Sequence, residues 1–267
     1  MELGAAFYHR AMLQPIVEAA ERRAERAAES LDRLRRESAT APATRSLAAA
    51  VGGPGLSVIA EVKRRSPSAG PLAEPLDPAA QAIRYMAGGA AGVSVLTEPD
   101  FFGGSLDDLR AVRAAIDRPV LRKDFIVHAA QIFEARAAGA DAVLLIVALV
   151  DPPRLVDLLT VADEAGVEAL VEAHDEREAA IAVESGARIV GVNNRDLRTF
   201  VTDLAVAERV APVLPSTVVK IAESGVSDPD GARRMADAGY DAILVGEAAV
   251  RAEDPAALIA RLRRADR

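Results

Sequence analysis

Six ionisable residues stand at the ends of short apolar runs scattered along the chain: Glu61, Lys63, Lys123, Glu172, Arg195 and Glu223. Each run has strand character, being rich in Val, Ile, Leu and Ala and closed by a polar or Gly turn. Side chains alternate faces along a strand. In SVIAEVK, Ser57, Ile59, Glu61 and Lys63 therefore share a face. In PVLRKDF, Leu121 and Lys123 share one face, with Arg122 and Asp124 on the other. Glu172 is in phase with Leu170 in EALVEA, Glu223 is in phase with Ile221 in VVKIAESG, and IVGVNNRDL ends in Asn193 and Arg195. If these faces converge, three acids and three bases meet with charges that sum to zero. Paired ions tolerate a partly dry pocket, and titratable groups that perturb one another are what acid–base chemistry requires. A purely structural ring of ion pairs is the competing interpretation.

A second signal concerns an anion. Ser224-Gly225-Val226 follows the seventh run, and Gly246-Glu247-Ala248 follows the eighth. Backbone N–H groups in such loops hold phosphate in many barrels, and Gly lets the backbone approach closely. Lys63 and Ser66 would be nearby donors. Simple turn glycines are the alternative.

The elements that must position these residues form a repeat. From Ser57 onward a short apolar strand, a polar or Gly loop and an Ala-rich helix recur eight times. Strands are predicted near 57–63, 92–97, 119–123, 141–147, 167–172, 188–193, 217–222 and 241–245. Helices are predicted near 78–88, 105–116, 128–138, 152–165, 175–185, 203–210, 228–238 and 255–264. Gly88-Gly89, Gly139, Gly166, Gly186 and Gly239 read as C-caps, and Asp77-Pro78 and Asp228-Pro229 as N-caps. Eight βα units imply an α/β fold, a closed (βα)8 TIM barrel, whose chemistry gathers at the C-terminal ends of the strands. An open doubly wound sheet is the alternative, weakened because no GxGxxG follows the first strand. Before the barrel, residues 8–37 read as one long amphipathic helix, with Ile16, Ala20, Ala24, Ala27, Leu31 and Leu34 at helical spacing. A short helix near 44–50 follows. The expected organisation is a single domain over 1–267: a helical extension over 1–55, then a barrel over 56–267.

Bulk properties narrow the function. The 267-residue chain is 51% apolar with a net charge of −8 and no long basic run, which argues against nucleic acid or an anionic membrane as partner. Trp is absent and aromatics are 3%, too few for a base-stacking platform. Without cysteine there is no disulfide, thiolate metal site or thiol nucleophile. His9, His128 and His174 lack ligand-like spacing and each lies in or beside a predicted helix, so no metal is expected. No GxSxG elbow or Walker loop occurs. The longest apolar run, residues 142–150, suits a buried strand rather than a membrane span, and the N-terminus lacks a signal-peptide core. A cytoplasmic location is expected.

Taken together, IAEVKRRSPSAG, SVLTEPDFFGGSLDDL, PVLRKDF, LVEAH, GVNNRDL, IAESGV and LVGEA resemble the indole-3-glycerol-phosphate synthase family, in order and with matching spacing over residues 56 to 250. The two leading helices resemble that family's N-terminal extension. The resemblance implies a ring closure in tryptophan biosynthesis with no cofactor or metal, and leaves other tryptophan-pathway enzymes as partners. The substrate would be 1-(2-carboxyphenylamino)-1-deoxyribulose 5-phosphate; the products would be indole-3-glycerol phosphate, CO2 and water. By motif, Lys123 matches a general acid acting on the substrate ketone. Glu172 matches an acid or base with Glu61 beside it, and Lys63 a lysine near the substrate carboxylate implicated in dehydration. Asn193 and Glu223 match residues that orient substrate and lysines, and Arg195 and Ser66 match groups near the substrate carboxylate. The phosphate would rest on the backbone N–H groups of Ser224, Gly225, Gly246 and Glu247. Position 247 departs from the pattern, since some members carry Ser there; a carboxylate beside a phosphate must point away. Another phosphate-binding barrel enzyme, of the phosphoribosylanthranilate isomerase or aldolase type, and a non-catalytic anion-binding barrel are the competing possibilities.

Overall fold

The computed structural model describes residues 2–67, 69–73, 75–197 and 199–265, with side chains from residue 14 onward. Ser68 of the KRRSPS motif and the His9 side chain lie outside the described residues. Eight parallel strands close into a barrel: β1 (Ser57–Val62), β2 (Gly92–Leu96), β3 (Val120–Lys123), β4 (Ala142–Ile146), β5 (Glu168–Ala173), β6 (Ile189–Asn193), β7 (Val219–Glu223) and β8 (Ala242–Val245). Closure is made by β8 pairing with β1, Ser57 opposite Ala242.

The strands are near-continuous apolar runs because both faces are buried. Ile59, Leu121, Leu144, Leu170, Ile189 and Ile221 fill the interior. Residues of opposite parity, such as Val58, Val93, Val143, Val171 and Val190, pack under the outer helices. A helix follows each strand: α4 (Pro78–Ala87), α5 (Pro99–Phe102), α6 (Leu106–Ala115), α7 (Ala129–Ala137), α8 (Pro152–Ala165), α9 (Glu176–Glu184), α10 (Ala205–Val210), α11 (Pro229–Asp237), α12 (Glu247–Arg251) and α13 (Pro255–Leu262). The Asp77 and Asp228 side chains cap α4 and α11 ahead of Pro, as their dipeptides predict. Gly139, Gly186 and Gly239 take left-handed φ where a helix turns into the next strand.

Three helices precede the barrel: α1 (Glu2–Ala28), α2 (Leu31–Thr40) and α3 (Leu47–Val51). The expected continuous helix over 8–37 is broken at Glu29-Ser30. The break redirects the chain so that α2 lies on α7, with the Arg35 guanidinium 5.1 Å above the Phe133 ring. The predicted apolar stripe survives the break: Ile16, Ala20, Ala24, Ala27 and Leu34 are all buried. Helix α3 plugs the N-terminal end of the barrel with Leu47 and Val51, both fully buried. Glu168, at the start of β5, accepts from the Ser46 hydroxyl and the backbone N–H groups of Leu47 and Ala48, fixing the plug. Periodicity also missed α5 and α12, each too short to show a helical repeat, and the two-residue ribbon of Arg65–Ser66 against Gly70–Pro71. No described helix is long and apolar enough to cross a membrane.

Candidate active site

A cavity of about 420 Å³ opens at the C-terminal ends of the strands. All six residues expected to do chemistry line it: Glu61, Lys63, Lys123, Glu172, Asn193 and Glu223. So do all six expected to bind substrate: Ser66, Arg195, Ser224, Gly225, Gly246 and Glu247. Inward parity carries each strand-end group from the barrel core to its mouth. Arg122 and Asp124, on the opposite face of the third strand, form a buried network with Thr97 and Glu134, and only Asp124 of the two borders the cavity.

At the floor, Lys123 Nζ donates to Glu172 Oε2 at 2.9 Å and to Glu223 Oε2 at 2.7 Å. Asn193 Nδ2 donates to Glu172 Oε1 at 3.1 Å, and Asn193 Oδ1 accepts from the Arg195 backbone N–H at 3.0 Å, which fixes the orientation of the amide. On the first strand, Glu61 Oε1 and Lys63 Nζ are paired at 2.7 Å. A Cβ at Gly246 would overlap Glu61 Oε1 and crowd Lys63 Nζ, so a side chain there would shift this pair.

The carboxylates sit in unlike fields. Burial alone would raise Glu172, but the Lys123 charge and His174 outweigh it and hold Glu172 well below the usual carboxylate range. Burial also raises Glu223; Lys123 offsets part of that, the Glu172 charge adds to it, and Glu223 is pushed up to about 7. Burial would lower Lys123, yet Glu172 and Glu223 carry it above an ordinary lysine. The floor thus holds a secure ammonium between one carboxylate that stays ionised and one that exchanges its proton near neutrality.

The predicted phosphate perch is built from strained and open backbone. Ser224 has φ +64 and Gly225 φ +86, and a non-Gly residue at positive φ persists only where its surroundings hold it. Asn194 does so: its Nδ2 donates to the carbonyls of Glu223 and Ser224 at 3.0 and 3.1 Å, while Oδ1 accepts from the Ala207 N–H. The Glu247 carboxylate is paired with Arg251 Nε at 3.2 Å along the same short helix.

Sequence reasoning missed several neighbours of the site. An apolar wall includes Ile16 of α1, Phe102, Phe125, Leu144 and Ile146; the Phe102 and Phe125 ring centroids are 6.1 Å apart. Asn194 and Arg251 carry no sequence signal of their own. His174 lacks ligand-like spacing in the sequence, yet its Nε2 lies 3.2 Å from Glu172 Oε1. Its in-phase position two residues beyond Glu172 was the available signal. Among the described residues no group of three His, Asp or Glu side chains could hold a metal ion.

Comparison with known proteins gives the family of the chain. The family model described as "Indole-3-glycerol phosphate synthase" matches residues 13–262. An indole-3-glycerol phosphate synthase from Streptomyces griseus subsp. griseus is 54% identical over 233 residues, 87% of each chain. One from Mycolicibacterium smegmatis is 52% identical over 233 residues, 87% of this chain and 86% of the relative. Among solved structures, thiamine phosphate pyrophosphorylase from Pyrococcus furiosus shares the fold at a TM-score of 0.60 and 19% identity, covering 79% of this chain and 95% of its own. N-acetylmannosamine-6-phosphate 2-epimerase from Clostridium perfringens does so at 0.61 and 14%, covering 78% and 93%. With a family model spanning nearly the whole chain and relatives above half identity, the chain belongs to the indole-3-glycerol phosphate synthase family.

Proposed function

We propose that Lys123, held between Glu172 and Glu223, is the acid that starts ring closure of 1-(2-carboxyphenylamino)-1-deoxyribulose 5-phosphate to indole-3-glycerol phosphate, the reaction of this carboxy-lyase family in tryptophan biosynthesis. Lys123 gives a proton to the ketone oxygen as the ring carbon bearing the carboxylate attacks the ketone carbon. The carboxylate leaves as CO2, and its bonding electron pair restores the aromatic ring. Lys63, poised against Glu61, then protonates the new hydroxyl, which leaves as water. Glu172 takes the proton from the adjacent carbon, and the pyrrole double bond forms. Two protons are given and one is taken, so each turnover consumes one proton, matching the conversion of a carboxylate into neutral CO2.

Asn193 and Glu223 orient Glu172 and Lys123, and Arg195 and Ser66 face the substrate carboxylate. The wall of Phe102, Phe125, Leu144 and Ile146 suits the phenyl ring. The phosphate rests on the backbone N–H groups of Ser224, Gly225, Gly246 and Glu247, so that remote binding energy holds the reacting atoms in place. This reading implies a cytoplasmic setting shared with other tryptophan-pathway enzymes.

The observation that carries the assignment is the double contact of Lys123 with Glu172 and Glu223, made across three strands at the cavity floor. Lys123→Ala is expected to keep the fold and lose about 10²–10⁴-fold in kcat, the usual worth of general acid catalysis. Indole fluorescence appearing at a near-normal rate in the folded variant would refute the role of Lys123. A Schiff-base route would instead leave substrate covalently trapped by borohydride, which we expect not to occur.

A further inference from the structure

His174 follows the fifth strand, two residues beyond Glu172, and its side chain is 13% exposed. Each ring nitrogen faces a carboxylate. Nδ1 lies 3.0 Å from Glu178 Oε2, and Nε2 lies 3.2 Å from Glu172 Oε1. An ionised carboxylate only accepts hydrogen bonds, so Nδ1 carries the proton in the bond to Glu178. Nε2 is buried without an aligned hydrogen-bond partner, and its 3.2 Å approach to the Glu172 carboxylate is favourable as a charge contact when it too is protonated. Glu178 is itself anchored, since Oε2 also accepts the His174 backbone N–H at 2.8 Å and the Glu178 backbone N–H is held by Asp175.

We propose that His174 is a positioning residue: an imidazolium clamp between Glu172 and Glu178 that keeps Glu172 ionised and turned, so that its other oxygen faces Lys123. The account rests on the ring-closure reading for what Glu172 then does, but not for the state of the imidazole. Charge balance supports the clamp. Once Glu223 ionises, two carboxylates share the single Lys123 ammonium, and a second cation one contact away offsets the surplus before an anionic substrate arrives. The groups facing His174 are Glu172 from β5, Glu178 from α9 and, through Glu172, Asn193 from β6, Lys123 from β3 and Glu223 from β7. The 147–149 turn against α9 carries no titratable side chain, and the other charged pair there, Arg209 with Glu176, is exposed. Burial would lower His174, but the two carboxylates push it up to about 10.

The first measurement is on the intact wild-type protein. Nitrogen–proton correlation of the histidine rings at pH 8 is expected to show His174 with both nitrogens protonated, where an ordinary histidine of pKa near 6.5 is neutral. The signal is assigned by its loss in His174→Gln. A neutral His174 ring at pH 8 would overturn the clamp, whether or not any variant folds. The second measurement is kinetic. His174→Leu should lower kcat about tenfold with KM near wild type, and should move the acid limb of the kcat profile to higher pH as Glu172 loses its cation. Folded His174→Leu enzyme with the wild-type kcat and pH profile would also overturn it. Failure of the wild-type enzyme to make indole-3-glycerol phosphate would sink the ring-closure reading and leave the imidazole result standing.

Discussion

Glu172 and Glu223 are the same residue type, both almost fully buried and both bonded to one lysine, yet Glu172 is held below and Glu223 above the ordinary carboxylate range. The difference lies in the second partner. Glu172 has the His174 ring and the Asn193 amide on its far oxygen, whereas Glu223 Oε1 has no hydrogen-bond partner. Its folded pKa of about 7 stands above the ordinary 4.5, so the folded state holds the extra proton between those values. Stability contributed by that proton is present below pH 4.5 and is lost as pH rises through 7. We therefore expect Glu223→Gln, which mimics the protonated acid, to match wild type in urea at pH 4.5 and to exceed it at pH 8. Equal midpoints at both pH values would show that Glu223 ionises normally. At this scale alternation along a strand was enough to find Lys123, Glu172 and Glu223. It could not find the unequal fields, because those depend on atoms contributed by other strands.

Among elements, the sixth strand does more than carry Asn193. Its Gly191 stands where a Cβ would overlap Glu223 Oε1 and crowd Leu170, so the absence of a side chain there makes room for the carboxylate. Gly191→Ala is expected to cost about 1–3 kcal/mol through overpacking and to lower kcat by displacing Glu223. Chemical unfolding together with turnover checks both, and an unchanged kcat would mean that Glu223 has slack. Just beyond, Asn194 ties the loop after β7 to α10; Asn194→Ala should raise KM more than it lowers kcat, because the Ser224-Gly225 turn, proposed above to hold the phosphate, loses its brace. Steady-state kinetics decides, and an unaltered KM would separate Asn194 from phosphate binding. The regular strands and helices were legible from apolar runs, Asp-Pro starts and Gly ends. The Glu29-Ser30 break was not, since it answers to the surface of α7 rather than to anything local.

Across the whole molecule, the extension and the barrel complete each other at both ends. Below, Leu47 and Val51 fill the barrel floor. Above, Ile16 joins the cavity wall, and Arg23 reaches Glu98 at 2.9 Å and Asp124 at 3.0 Å, two carboxylates with almost no exposure. Glu98 in turn caps the short helix that carries Phe102, and Asp124 follows Lys123 in the chain. Arg23→Ala leaves Glu98 without this cation and should destabilise the fold by about 3 kcal/mol, as breaking a buried pair does. Urea unfolding measures it, and a cost under about 0.5 kcal/mol would class the pair with exposed surface bridges.

By itself the sequence determined the eightfold βα repeat, the end of the barrel where the cavity opens, and twelve of the residues that line it. The repeat and the strand-end residues follow from periodicity and parity, and the loop residues from their place after the strands and from the family motifs, all properties of the chain read in one dimension. Only the tertiary structure decided that Lys123 sits between two glutamates, that His174 braces one of them, and that the first helix closes the wall. The lysine contacts and the helix wall join segments tens of residues apart, the His174 contact depends on side-chain direction at a strand end, and burial and charge act through space, where spacing along the chain has no say.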